Sequence, residues 1–275
     1  MGNNNDSQHS EINVNTYPSI RGSTAKLPYT NILYTNVRSL TRGAKRDELK
    51  MLIDSHEIDI IGISETWGKA DILDIEMEIP GFKLYRKDRA TINNKKGGGV
   101  ALYVKNELQS VECNDLNSKK CEAVWCKIYF NKNDFLIVGV CYRSQEADED
   151  ELSQLFESVR QAANFNCPLL IMGDFNYPDI NWETLQSGPN GKDFVKLVLD
   201  CYLEQHVCEP TRLDNILDLV FTAELNVKNN ITILPPIDNS DHNVLTWQLD
   251  CSGTRVKDNK MRLCFKLIMM ECVHL

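Results

Sequence analysis

Short apolar runs separated by polar turns set the rhythm of the chain from residue 29 to residue 250. Residues 32–35, 58–63, 82–86, 100–104, 124–130, 135–142, 169–172, 217–221, 231–234 and 244–249 are of strand length and rich in β-branched or aromatic side chains, which predicts strands. The 58–63 and 169–172 runs are nearly continuous rather than alternating, the mark of strands covered on both faces. Three sets instead recur at helical spacing: Leu49, Leu52 and Ile53; Leu152, Leu155, Phe156 and Val159; and Phe194, Leu197, Val198 and Cys201. Asn131-Lys132-Asn133-Asp134 predicts a hairpin turn between two of the strands. Strands that arrive in runs, with a few helices between, are buried most economically by two packed sheets flanked by helices. The expected fold class is therefore α/β (α+β).

The flanks read differently. Residues 1–28 are rich in Asn, Ser and Thr with little apolar periodicity, which predicts a flexible polar tail. Residues 251–275 begin polar and basic and end in the apolar series Leu263, Cys264, Phe265, Leu267, Ile268, Met269 and Met270. That tail falls short of the roughly 20 residues a membrane helix needs, so no membrane association is expected. It reads as a packed helix or as foreign sequence. No basic-then-apolar leader is visible at the N-terminus, and Asp6 stands where a myristoylation motif wants Ser or Thr. Composition adds two constraints. A net charge of −9 argues against a protein living by non-specific phosphate attraction, but not against an enzyme whose carboxylates hold a cation against phosphate. The 10 cysteines contain no Cys-x-x-Cys pair and none precedes Cys113, so they read as reduced thiols in an intracellular compartment, nucleus or cytoplasm, with no disulfide-linked partner.

The candidate chemistry sits at strand ends, where a rigid scaffold presents groups to a shared cleft. Asn36 follows the 32–35 run, Glu65 the 58–63 run, Tyr142-Arg143 the 135–142 run, Asp174 and Asn176 the 169–172 run, and Ser240-Asp241-His242 precedes the last strand. Each has a bland reading. Asn36 suits a turn, Glu65 a solvated loop, Asp174-Phe175-Asn176 an Asx turn, and Asp241-His242 a surface ion pair. Together, the recurrence of amide, acid and imidazole at successive strand ends is what demands a shared explanation.

The order resembles the endonuclease/exonuclease/phosphatase superfamily, and most closely the endonuclease domain of non-LTR (LINE-type) retrotransposons. The residues that carry the resemblance are Asn36-Val37-Arg38-Ser39-Leu40, Ser64-Glu65-Thr66-Trp67, Gly97-Gly98-Gly99-Val100-Ala101-Leu102-Tyr103, Val140-Cys141-Tyr142-Arg143, Gly173-Asp174-Phe175-Asn176, Ile216-Leu217-Asp218-Leu219-Val220-Phe221 and Ser240-Asp241-His242. The resemblance spans residues 29–250 and implies a four-layer α/β sandwich that cuts phosphodiesters with Mg²⁺ or Mn²⁺. It implies Glu65 as principal metal ligand, with Asn36 and Asp241 in or beside the same shell. Asp174 matches the water-activating carboxylate. Asn176, taken as lying on the same side of an extended segment, would orient phosphate or water. His242 would meet a non-bridging phosphate oxygen or assist proton transfer, Asp218 would fix its ring, and the Tyr142 hydroxyl would touch the phosphate. The implied partner is duplex DNA, nicked to leave a 3′-hydroxyl that primes reverse transcription.

Other readings stay open. Gly97–Gly99 lacks the Lys and helix of a nucleotide loop and reads as a turn with close backbone packing. Lys95-Lys96 and Arg86-Lys87-Asp88-Arg89 are either a solvated loop or a DNA-backbone contact, and Arg143 is a further candidate phosphate contact. Trp67 and Trp182 read as packing residues, His56 and His206 as structural. Ser144-Gln145 stands where the family often has proline, and nothing after residue 250 resembles a reverse transcriptase, which favours a fragment, a degenerate copy or a domesticated product. The rival functions are an abasic-site or other phosphoesterase of the same fold, and a catalytically dead remnant.

Overall fold

The elements, in chain order, are β1 (Tyr29–Asn36), α1 (Gly43–Ser55), β2 (Ile60–Ser64), β3 (Phe82–Lys87), β4 (Val100–Lys105), β5 (Ser110–Glu112), β6 (Glu122–Tyr129), β7 (Phe135–Tyr142), α2 (Glu149–Ala163), β8 (Leu169–Asp174), β9 (Ile180–Asn181), β10 (Gln186–Ser187), α3 (Lys192–Asp200), β11 (Glu204–Gln205), β12 (Asp218–Ala223), β13 (Asn226–Val227), β14 (Thr232–Leu234) and β15 (Val244–Asp250). They come from a computed structural model that describes residues 29–40, 43–69, 71–89, 96–118, 120–131 and 134–250. The two tail readings, Lys95, and the middle of the 131–134 turn lie outside the described residues. Every strand and helix expected from the apolar pattern is present. The additional strands β5, β9, β10, β11 and β13 are two or three residues long and carry no apolar run that would announce them.

Two mixed sheets carry the fold. The 7-stranded sheet runs β13-β15-β1-β2-β4-β3, with β14 also pairing to β15, and the 6-stranded sheet runs β11-β12-β8-β7-β6-β5. Each has one parallel pair at its centre, β1 with β2 and β7 with β8. Because side chains alternate across a strand, each strand feeds two cores. Ile32 and Tyr34 of β1, Val100, Leu102 and Val104 of β4, Val138 and Val140 of β7, and Leu170 and Met172 of β8 meet between the sheets. The intervening residues face outward. Leu33, Ile61, Ile63, Ala101 and Tyr103 pack with Leu49 and Ile53 of α1. Trp125, Ile137, Ile171 and Phe221 pack with Leu155, Phe156 and Val159 of α2 and Phe194 and Leu197 of α3. The result is helix, sheet, sheet, helix: four layers in which both sheets are covered on both faces, as their near-continuous apolar runs require.

Local chemistry fixes the ends. Helix α2 opens on a capping box, in which the Asp148 carboxylate accepts from the Glu151 N–H at 2.8 Å and Glu151 reaches back to the Asp148 N–H. Trp182 joins the ring cluster of Phe194 and Phe221, as a packing residue should. His206 bonds the Thr222 hydroxyl at 2.7 Å, and burial lowers its pKa, which suits a neutral structural ring. Among the described residues the cysteines are free thiols, four of them buried. No described helix is long and apolar enough to cross a membrane.

One cross-strand pair sets the outer face of the second sheet. Trp125 is fully buried and sits directly opposite Gly139 in the β6/β7 register. A Cβ on Gly139 would collide with the indole ring, so the glycine is what lets the tryptophan lie flat on the sheet. Gly139→Val is expected to lower stability by ~1–3 kcal/mol, the usual range for overpacking. Urea unfolding followed by Trp fluorescence measures it; an unchanged midpoint would show that the sheet can yield there.

Candidate active site

The alternation that fills the space between the sheets also builds the site at its mouth. Asn36 is the next residue of the Ile32, Tyr34 series, Asp174 of the Leu170, Met172 series, and Tyr142 of the Val138, Val140 series; Asp218 comes one step before Val220. Register then places Asp174 directly between Asp218 on β12 and Tyr142 on β7, while Asn36 pairs across to Ser64 on β2. Where the apolar filling stops, polar groups from both sheets converge.

His242 and Asp218 form one half. The ring Nδ1 lies 2.7 Å from Asp218 Oδ2, and both side chains are buried. The other Asp218 oxygen accepts from the Tyr34 hydroxyl at 3.3 Å, and the same hydroxyl lies 2.7 Å from the Ser64 hydroxyl. The Thr211 hydroxyl accepts from the N–H of Leu217 and of Asp218 and fixes the start of β12. Ser240 clips the histidine loop to the first sheet: its hydroxyl donates to the Asn36 carbonyl at 2.7 Å and accepts from the His242 N–H. Burial acts to lower the pKa of the ring. The charge and hydrogen bond of Asp218, then the charge of Asp174, outweigh burial and leave it raised. Burial, and next the Asp218 charge, push the Tyr34 phenol well above its ordinary value, so it serves as a neutral donor.

Asp174 is the centre. Its Oδ2 accepts from the Asn36 amide at 2.9 Å and lies 3.9 Å from His242 Nε2, and its Oδ1 accepts from the Asn176 N–H at 3.1 Å. Burial chiefly, and secondly the Asp218 carboxylate, push its pKa up to about 8, against the opposing pull of His242 and the Asn36 bond. A carboxyl whose pKa is raised by burial is a stronger base than a free one and, once ionised, is suited to take a proton from water.

Glu65 is the third group. It is half-buried, has a left-handed backbone (φ 52°), and is held by three donors. The Asn36 amide and the Tyr142 hydroxyl each reach Oε1 at 3.1 Å, and the Trp67 indole N–H reaches Oε2 at 3.0 Å. No cation pairs with Glu65 among the described residues. A carboxylate has room for about four hydrogen-bond partners, so Glu65 keeps capacity for about one more. Those properties fit a hard divalent cation that binds through a single carboxylate and keeps most of its waters. Asp174, Asp218 and His242 also bring ligand-type atoms within 4.8 Å of one another. That trio is a weaker metal cage than it looks, because Asp218 is committed to His242 and Tyr34.

The glycine loop supports Glu65 from behind. The Thr66 N–H donates to the Gly99 carbonyl and the Trp67 N–H to the Gly98 carbonyl, at 3.2 and 2.8 Å. Gly97, Gly98 and Gly99 all have positive φ, and a Cβ on Gly99 would lie 2.6 Å from the Thr66 hydroxyl oxygen, so the expected close-packed turn is present and glycine is required there. Glu122 accepts from the Gly99 N–H and from Arg89 Nε.

Some expectations are corrected, and the other candidate residues have partners within the protein. Trp67 does not pack in the interior: it is 39% exposed, and its indole N–H positions Glu65. Asn176 is not extended. Its φ is 52°, the Asp174–Asn176 bond is an Asx turn, and its amide donates to the Arg143 carbonyl at 2.8 Å. Arg143 bonds the carbonyls of Phe175 and Asn176 and stacks over Tyr177 at 4.0 Å. The Tyr142 hydroxyl donates to Glu65, and Asn36 presents its NH₂ to the carboxylates while its oxygen accepts from the Arg38 N–H. Asp241 is paired with Arg38 and Arg212. Arg86 and Arg89 are neither solvated nor free, since Asp74 and Asp88 hold the first and Glu122 the second; Lys96 is exposed. Sequence reasoning missed Tyr34, Thr211 and Lys45. Tyr34 hides in an apolar run, and Lys45 is a buried cation donating to the carbonyls of Val37 and Arg38.

The Asp174 environment generates a stability prediction. A carboxyl whose folded pKa lies above its unfolded value of about 4 makes folding less favourable as pH rises through that window. The raised His242 pKa acts in the same direction. Asp174→Asn removes the first contribution and the smaller, Asp174-derived part of the second, so its melting temperature relative to the unaltered protein should rise from pH 4 to pH 8. Calorimetry across that range checks it; a difference independent of pH would show that Asp174 is not strained by burial.

Similarity to known proteins agrees with this geometry. Solved structures that superpose on the chain include the endonuclease domain of TRAS1, a telomere-specific non-LTR retrotransposon (13% identity, 83% of this chain and 100% of that one, TM-score 0.60). The AP endonuclease LMAP from Leishmania major gives 12% identity, 81% and 88% coverage and a TM-score of 0.63. The 3′-5′ exonuclease NExo from Neisseria meningitidis gives 16%, 80%, 100% and 0.56. At such identities the likeness is one of fold. No curated protein matches the sequence. Residues 30–242, nearly the whole described chain, match the endonuclease/exonuclease/phosphatase family, and the protein belongs to that family.

Proposed function

We propose that the protein is a divalent-metal-dependent phosphodiesterase that nicks one strand of duplex DNA, leaving a 3′-hydroxyl and a 5′-phosphate. The observation that carries the reading is the meeting of a proton acceptor, Asp174, a ring held by a carboxylate, His242 with Asp218, and an open carboxylate, Glu65, at one cleft mouth. Asp174 takes a proton from water. Asn36 donates to both Asp174 and Glu65 and keeps the two carboxylates in fixed relation. With Nδ1 engaged by Asp218, the ring of His242 turns Nε2 toward Asp174, 3.9 Å away, where its proton would meet a non-bridging phosphate oxygen. Tyr142 and Trp67 keep Glu65 aimed at the site. Glu65 would hold a cation such as Mg²⁺ or Mn²⁺, whose chemistry would be Lewis-acid neutralisation of charge on the phosphate and on the leaving oxygen.

DNA is favoured by the company the fold keeps, which includes a retrotransposon endonuclease domain and a Neisseria 3′ phosphatase bound to product DNA hairpin. In the retroelement setting the 3′-hydroxyl would prime reverse transcription.

Supercoiled plasmid tests the reading. Nicking is expected with Mg²⁺ and not with EDTA. Glu65→Gln and His242→Gln should each lower the rate by ~10²–10³, the usual cost of losing one group that stabilises transition-state charge, while circular dichroism shows the fold retained. Nicking at the normal rate in either variant would overturn the assignment, and a marked preference for abasic duplex would move it toward repair.

A further inference from the structure

Beside the catalytic groups lies a charge cluster that the reaction does not use. Asp241 Oδ2 accepts from Arg212 Nε at 2.8 Å and Nη2 at 2.7 Å, and Asp241 Oδ1 lies 3.3 Å from Arg38 Nη1 with no hydrogen bond of its own. Two guanidiniums thus share one carboxylate, and the trio carries a net positive charge in a chain of net charge −9. Both arginine side chains keep an open face, with 47% and 31% of their surface exposed. A guanidinium has five N–H donors; Arg212 spends two on Asp241, and Arg38 meets Asp241 as an ion pair without a hydrogen bond.

The arginines stand on backbone already tied to the site. Arg38 has a left-handed φ of 41°; its N–H donates to the Asn36 side chain and its carbonyl accepts from buried Lys45. The next two residues bond the carbonyls of Glu65 and Thr66. Arg212 sits in a tight turn closed by Asn215, next to Thr211, which holds Asp218 by its hydroxyl and Asn243 by its carbonyl. Bracing long side chains this way removes much of the entropy cost of ordering them around a ligand. A planar donor fork on a fixed mount is suited to phosphate.

We propose that Arg38 and Arg212, braced by Asp241, form a second phosphate subsite that takes a non-scissile phosphate adjacent to the one being cut. The inference rests on the phosphodiesterase reading and narrows its substrate class: the enzyme selects a polynucleotide backbone over an isolated phosphate ester. Asp241 serves here as an organiser of the arginines rather than as a metal ligand.

The test compares the full chain with Arg38→Gln and Arg212→Gln, each first shown to melt normally, and with Arg212→Lys as a charge-preserving control. Binding of a fluorescent duplex oligonucleotide is followed in EDTA across a salt series. Turnover of that duplex and of bis(4-nitrophenyl) phosphate is followed with Mn²⁺. The salt slope should fall by about 1 for each Gln variant and recover with Lys. Duplex kcat/KM should fall at least tenfold more than that of the small ester. An unchanged slope, or equal losses on both substrates, overturns the subsite while leaving the phosphodiesterase standing. Failure of the unaltered protein on both substrates removes the reading on which the subsite rests.

Discussion

The charge of Asp174 is the constraint around which the cleft is organised. A fully buried carboxylate beside a second one is costly unless donors surround it, and no described lysine or arginine pairs with it. Its support comes instead from an amide, a backbone N–H and an imidazole. Each depends on a different element. Asn36 needs β1 in parallel register with β2, the Asn176 N–H needs a left-handed turn after β8, and His242 needs Asp218 at the start of β12. The fold assembles these groups because two sheets, stacked with their strand ends aligned, expose side chains of one parity at the same mouth.

From Ser64 to Trp67 the polar groups form a continuous chain: Ser64, Tyr34, Asp218, His242, Asp174, Asn36, Glu65 and then the Tyr142 hydroxyl and Trp67 indole. Such a network is rigid when satisfied and expensive when broken, so each member restrains its neighbours. It also separates roles. Asp218 is fully buried, committed to His242 and Tyr34, and serves as an orienting group, whereas Glu65 is only half-buried. Asp241, next to His242 in sequence, belongs to a different set, because its oxygens face arginines.

Much of this was legible in the sequence. Apolar runs announced the long strands and the three helices, because burial on both faces leaves a strong compositional trace. Strand-end polar residues announced Asn36, Glu65, Asp174 and His242, the family resemblance added Asp218, and the structure brings the five together. What was illegible depends on side-chain direction and on partners distant in sequence. Tyr34 reads as one more core residue until Asp218, brought in from β12, meets its hydroxyl. The two carbonyls that the turn after Asp174 offers Arg143 have no trace in the sequence. Trp67 reads as core because its indole N–H has no visible partner in sequence, although Glu65 is only two positions away. Asn176 was placed by strand periodicity, which ends at Asp174.

Histidine ring nitrogen chemistry reports most directly on this arrangement. Nitrogen-15 NMR of histidine-labelled protein, titrated by pH, gives the tautomer and the pKa of His242. The account predicts a strong Nδ1 hydrogen bond and a pKa above the ordinary value near 6.5, lost on Asp218→Asn. A ring that titrates at or below 6.5, and is unaffected by that substitution, would contradict it.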